Sequence, residues 1–153
     1  MSKLVTIFGG SGFVGRYVAQ RMAKQGWRVR VAVRRPTEAL FVRQYGDVGQ
    51  VEPVLCNIRN DASVTDVTNG ADAVVNCVGI LSEAGKNTFQ DVQASGAERV
   101  ARISSEQGVV NFVQISAIGA NEAALSDYAK TKAFGEASVL SLSLIHISEP
   151  TRQ

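Results

Sequence analysis

Histidine is almost absent from this 153-residue chain; the one copy is His146. Cysteine is scarce as well. Cys56 and Cys77 both lie inside apolar segments, which fits free buried thiols in a reducing compartment and argues against a disulfide framework. Neither charge sign dominates: 16 Lys and Arg against 14 Asp and Glu leave a net +2. That excess is too small to imply a nucleic-acid partner or a charged membrane surface, and the basic residues cluster only at Arg28, Arg30, Arg34 and Arg35. No apolar run approaches the roughly 18 residues of a membrane span. Leu4 to Phe8 follows the N-terminus directly, without a signal-peptide layout. The expected location is the cytoplasm, or the cytoplasmic face of a membrane complex. What is present, 45% hydrophobic and 20% charged residues, is ordinary globular composition, long enough for one domain and short for two.

Residues 142–153, LSLIHISEPTRQ, are similar to the in-frame translation of a transposase-type sequencing adapter, and we set them aside as a non-native tail. Residues 1–141 then form one domain that is expected to be incomplete. The remainder has no histidine, which removes histidine general bases, Ser-His-Asp triads and histidine metal sites; no metal site is expected. The tail is expected to lack specific packing. The chain as written is expected to fold marginally, because its fifth strand is too apolar for a comfortable sheet edge.

Up to Ser141 the chain alternates strand and helix signals without linker or repeat. Leu4 to Phe8 is a short apolar run ending at glycines. Phe13 to Gln25 has helical spacing, with Val14, Val18 and Met22 on one face, and Gly26 as the stop. Trp27 to Val33 is the second strand. Pro36 opens a short helix to about Tyr45, and Val51 to Cys56 is the third strand. Asp61 to Thr68 is a helix closed by Asn69-Gly70, and Ala73 to Val78 the fourth strand. Thr88 to Gln107 is a long helix, Val109 to Ile115 the fifth strand and Asp127 to Leu140 the last helix. This alternation predicts an α/β fold: a doubly wound parallel sheet of order 3-2-1-4-5, truncated after the fifth strand and its following helix.

Glycines at 9, 12 and 15 sit directly after the first strand and directly before an amphipathic helix. That context gives the spacing its meaning. Gly9 permits the tight turn, Gly12 lets the backbone approach a pyrophosphate, and Gly15 lets the helix pack closely on the strand. The helix N-terminus then offers unpaired N–H groups to the phosphates, so the segment predicts dinucleotide binding. At the end of the second strand a NAD-preferring domain places an acid for the ribose 2′-hydroxyl. Here the strand ends Val33-Arg34-Arg35, with no acid before Glu38. Arg34 and Arg35 would clamp a 2′-phosphate, which makes NADP(H) the preferred cofactor and NAD(H) the alternative.

Tyr128 and Lys132 form Y-x-x-x-K, one helical turn apart on a shared face. An ammonium stabilises a nearby tyrosinate and makes a phenol usable as a general acid/base. Ser116 ends the fifth strand, where ligands meet this kind of sheet and where a hydroxyl can polarise a carbonyl.

These residues together resemble the short-chain dehydrogenase/reductase superfamily, in its extended or atypical branch, with a Rossmann-type fold. More narrowly, Ile7 to Gly15, Asn76 to Leu81, Ile115 to Ala120 and Tyr128 to Lys132 resemble the nucleotide-binding accessory subunits of respiratory complex I and their bacterial homologues. The resemblance implies that Gly9, Ser11, Gly12, Phe13 and Val14 meet the pyrophosphate and Arg34 and Arg35 the 2′-phosphate. It implies that Asn57 and Ile58 flank the adenine, where relatives usually have aspartate at the Asn57 position. Cys77, Val78 and Gly79 would line the ribose, and Tyr128 and Lys132 the nicotinamide ribose. Gln93 stands where many relatives have asparagine, a departure from the usual proton relay.

The resemblance implies an NADP(H)-binding accessory or assembly subunit of NADH:ubiquinone oxidoreductase. Its nucleotide would be mainly structural, its partners complex I subunits, and its place peripheral on the cytoplasmic face of the inner membrane. The alternative is an active NADPH-dependent reductase, dehydrogenase or sugar-nucleotide epimerase using Ser116, Tyr128 and Lys132. A redox-sensing regulator of the same fold is a third reading, weakened by the intact tyrosine. Fold alone does not decide among them.

Overall fold

A computed structural model describes residues 2–80, 82–142 and 146–148. Its strands are β1 (Leu4–Phe8), β2 (Arg28–Val33), β3 (Val51–Leu55), β4 (Ala73–Asn76), β5 (Asn111–Ile115) and β6 (His146–Ser148). They form one sheet of order β3-β2-β1-β4-β5-β6, parallel throughout. The helices are α1 (Phe13–Lys24), α2 (Asp61–Thr68), α3 (Ser95–Glu106) and α4 (Asp127–Ser141). A 3-10 run occupies Pro36–Tyr45, and a π turn, Gln90–Ala94, leads into α3.

Period-two alternation splits the core into two layers. Val5 and Ile7 of β1 join Val31, Val75 and Val42 beneath α1. Phe8 faces the other way, with Val74, Phe112, Val64 of α2, Val100 of α3 and Val139 of α4. Helices cover both faces, so β1 is buried along its whole length. In α1 the buried line is Gly15, Ala19 and Ala23. The expected line began at Val14, which is 38% exposed. The helix lies so close to the sheet that only small residues fit between them, and Val18 and Met22 pack at the margin.

Strand ends differ from the periodicity for identifiable reasons. The fourth strand was expected to reach Val78 but stops at Asn76, whose Oδ1 accepts from Val78 N at 3.1 Å and turns the chain out of the sheet. The fifth begins at Asn111 rather than Val109, because Val109 N donates back to Ser104 O at 3.0 Å and closes α3. The long helix expected from Thr88 carries the π turn at its start, which brings Gln93 into the interior. The order 3-2-1-4-5 stands as read. The sheet does not end at five strands, however: β6, from the segment set aside as an unpacked tail, pairs Val113 with His146, Gln114 with Ile147 and Ile115 with Ser148. An apolar β5 edge thus gains a backbone partner, which is what an edge of that composition requires.

Candidate functional site

The site starts where β1 runs out. Gly9 has φ +73°, a conformation that side chains with a Cβ rarely adopt, and its N–H donates to Ala32 O at 3.1 Å. The chain turns and Gly12 caps α1 with no side-chain hydrogen bond, so no capping oxygen competes for the first-turn N–H groups. A Cβ on Gly15 would overlap Gly9 O and sit 2.8 Å from Gly10 Cα. Its absence lets α1 begin directly against the turn. The result is a cradle of backbone donors with a partial positive charge.

Above this cradle lies a cleft of ≈ 240 Å³. Gly9, Ser11 and Gly12 form one wall, Ala32 to Arg34 another, and Cys56 with Ile58 a third. Cys77, Val78, Gly79 and Ile80 close it from the β4 side. The structure therefore brings Gly9, Ser11, Gly12, Arg34, Ile58, Cys77, Val78 and Gly79 together around one cavity. Phe13 and Val14 are not among its lining residues; their side chains are 75% and 38% exposed. Gly15 lies behind the loop. Asn57 forms a local turn, its Oδ1 accepting from Arg59 N at 3.0 Å, and does not line the cleft. Arg35 lies in an adjoining groove with Arg34. Arg30, from the same basic cluster, is used structurally, donating to Val67 O at 2.7 Å and Asn69 O at 3.0 Å.

Asn87 and Val92 also line the cleft, and the sequence reading missed both. The available signal was Gly85-Lys86, the centre of a tight reversal in which Ala84 and Asn87 exchange backbone hydrogen bonds of 3.2 and 3.0 Å.

Ser116, Tyr128 and Lys132 are absent from the cleft lining; Ser116 and Lys132 are hydrogen-bonded within the protein, and Tyr128 is half-buried. Lys132 is 6% exposed. Its Nζ donates to Val78 O and Ile115 O, each at 3.3 Å, tying the chain after β4 to the end of β5. Burial holds its pKa below the usual lysine value, with the neighbouring Cys77 opposing the shift. Burial likewise pushes the Cys77 thiol up to about 12, against a smaller lowering by Lys132. Cys56 is also raised by burial, partly offset by Ser63. Ser116 is buried and donates to Glu136 Oε2 at 2.8 Å. Glu136 lies one turn beyond Lys132 on α4, a spacing visible in the sequence and not used there. The Tyr128 ring packs edge-on against Phe89, with centroids 6.1 Å apart. Gln93 accepts from Ile80 N at 3.1 Å and donates to Thr131 Oγ1 at 2.9 Å, linking the cleft wall to the first turns of α4.

A family model described as NAD(P)H-binding matches residues 9–140. The mitochondrial NADH dehydrogenase (ubiquinone) 1 alpha subcomplex subunit 9 of Arabidopsis thaliana is 33% identical over 139 residues, covering 90% of this chain. The ceramide reductase of Caulobacter vibrioides is 31% identical over 136 residues, covering 89% of it. The chain spans 35% of the first relative and 41% of the second. Among solved structures, a putative NAD-dependent epimerase/dehydratase from Bacillus halodurans superposes with a TM-score of 0.83 at 21% identity, covering 97% of this chain and 70% of that one. At that identity the likeness concerns the fold. Among the described residues no helix is long and apolar enough to cross a membrane.

Proposed function

The chain belongs to the NAD(P)H-binding family, and from that premise we propose that it holds NADP(H) as part of an accessory or assembly subunit of a respiratory NADH:ubiquinone oxidoreductase. In this reading the nucleotide is mainly structural and the protein is peripheral to the membrane. One observation carries it: an open cleft at the glycine loop stands beside Ser116 and Lys132, which are absent from the cleft lining and hydrogen-bonded within the protein.

The residues present fit a dinucleotide. Gly9 turns through a left-handed conformation and Gly15 lets α1 start directly behind it, and a pyrophosphate seats where backbone donors replace side chains. Gly9, Ser11 and Gly12 would hold it, Ile58 would flank the adenine, and Cys77 to Gly79 would line the ribose. Arg34 lines both the cleft and the groove that adjoins it, and so puts a guanidinium where a 2′-substituent would lie. A bound nucleotide stabilises the fold; at 1,000 times its Kd the gain is roughly 4 kcal/mol.

A second reading is favoured by the shared α4 face of Tyr128 and Lys132 and by the ceramide reductase relative. It is an NADPH-dependent reductase, dehydrogenase or epimerase in which Tyr128 is the acid/base, Lys132 supports it and Ser116 orients a carbonyl. Titration calorimetry tests the cofactor: NADPH should bind at least tenfold tighter than NADH, and equal or tighter NADH binding refutes the NADP(H) reading. Tyr128→Phe tests the role, and should leave nucleotide affinity and co-purification with complex I subunits intact. A carbonyl substrate whose NADPH-dependent turnover disappears in that variant establishes the second reading instead.

A further inference from the structure

We infer that the second guanidinium of the 2′-phosphate subsite is Arg16, not Arg35, so that Arg16 and Arg34 together select the phosphorylated ribose. The inference rests on the NADP(H) reading above and assigns the specificity within it.

A groove of ≈ 350 Å³ adjoins the cleft, lined among others by Ser11, Arg16, Arg34, Arg35, Glu38 and Phe41. Ser11 and Arg34 line both spaces, so a ribose substituent leaving the cleft on the β2 side enters this groove. Three arginines border it, and their circumstances differ. Arg16 follows the last glycine of the loop, and a helical side chain at that position leans back over the turn before it. There Arg16 Nε donates to Gly12 O at 3.1 Å and Nη2 to Ser11 O at 2.9 Å. The guanidinium also lies over the Phe41 ring, 5.0 Å from its centroid. These contacts order the fork and compensate its charge with no carboxylate, leaving further N–H donors for an anion. A cation already ordered loses little entropy when an anion arrives.

Arg35 is in the opposite condition. Its side chain is 75% exposed and pairs with Glu38 Oε1 at 3.2 Å. The pair adds no net charge to the groove. Drawing Arg35 onto a phosphate leaves the Glu38 carboxylate unpaired beside a group carrying about −1.5 to −2 charges. Glu38 thus competes with an anion for Arg35, while the guanidiniums of Arg16 and Arg34 form no ion pair among the described residues.

The test is calorimetric titration of the chain with NADPH and with NADH for Arg16→Gln, Arg34→Ala, Arg35→Ala and Phe41→Leu. Arg16→Gln and Arg34→Ala should each weaken NADPH at least tenfold and NADH less than threefold; Arg35→Ala should weaken NADPH less than threefold. Phe41→Leu removes the shelf without touching the glycine loop, and should weaken NADPH severalfold while sparing NADH. The assignment is overturned if Arg35→Ala matches Arg34→Ala, or if Arg16→Gln and Phe41→Leu spare NADPH. It is equally overturned if both weaken the two nucleotides alike, since Arg16 then only supports the loop. Wild-type protein with no preference for NADPH instead refutes the NADP(H) reading on which the inference stands.

Discussion

From Gly9 to Gly15 the site is made of backbone, whereas from Ser116 to Glu136 it is made of side chains that hold one another. The glycine loop works by what is missing: no Cβ at Gly15, no capping side chain at Gly12, a cavity left over for a ligand. In the β5–α4 half Ser116 is bonded to Glu136, Lys132 to the carbonyls of Val78 and Ile115, and Gln93 to both the cleft wall and Thr131. The lesson is that a shared motif face does not by itself make a site ready for chemistry. The first half leaves a cavity open; in the second, Ser116 and Lys132 are satisfied internally.

The contrast breaks most severely at Gly15. Gly15→Val drives a branched side chain into Gly9 O and Gly10 Cα, and overpacking of this kind costs about 3 kcal/mol. Urea unfolding should show that loss and NADPH binding should become undetectable; a variant that binds normally would mean the backbone cradle is not the nucleotide site. Cys77 probes the seam between the halves, since its carbonyl faces Gly9 and its thiol feels Lys132. With the thiol pushed up to about 12, its thiolate fraction at pH 8 is more than roughly a thousandfold below that of free cysteine, and iodoacetamide should modify it correspondingly slowly. The rate should keep climbing between pH 8 and 10, where a free thiol levels off. The same shift lowers stability as pH rises from about 9 towards 12, because the unfolded thiol ionises first. An early plateau in alkylation would show that the thiol is not held protonated. The mildest break is Lys132→Ala. It leaves Val78 O and Ile115 O without the ammonium, which should cost about 2 kcal/mol and loosen the Val78–Gly79 wall enough to weaken NADPH and NADH together. Loss of NADPH alone would place Lys132 in cofactor selection instead.

Legibility followed the same division. The glycine loop was readable because each glycine answers to a local backbone demand, whereas its neighbours Cys77, Val78 and Gly79 were named only through the family resemblance. The buried face of α1 was misread by one residue, since close packing prefers Ala19 and Ala23 to the larger valine that periodicity favours. Asn87 and Val92 were missed because a loop and a helix start reach the cleft only through tertiary folding. Glu136 and Arg16 were in plain view as positions; their partners, Ser116 and Phe41, lie 20 and 25 residues away in the chain (136 − 116 and 41 − 16).

The amino-acid sequence by itself determined the alternating α/β order, the parallel sheet and the glycine loop, because these depend on periodicity and on glycine, which act over a few residues. Only the tertiary structure decided which arginine is ordered and which is paired to Glu38, whether Ser116 faces a ligand or a carboxylate, and what covers the edge of β5. Those outcomes depend on distances between groups far apart in the chain, where burial and hydrogen-bond competition, not local propensity, set the energy.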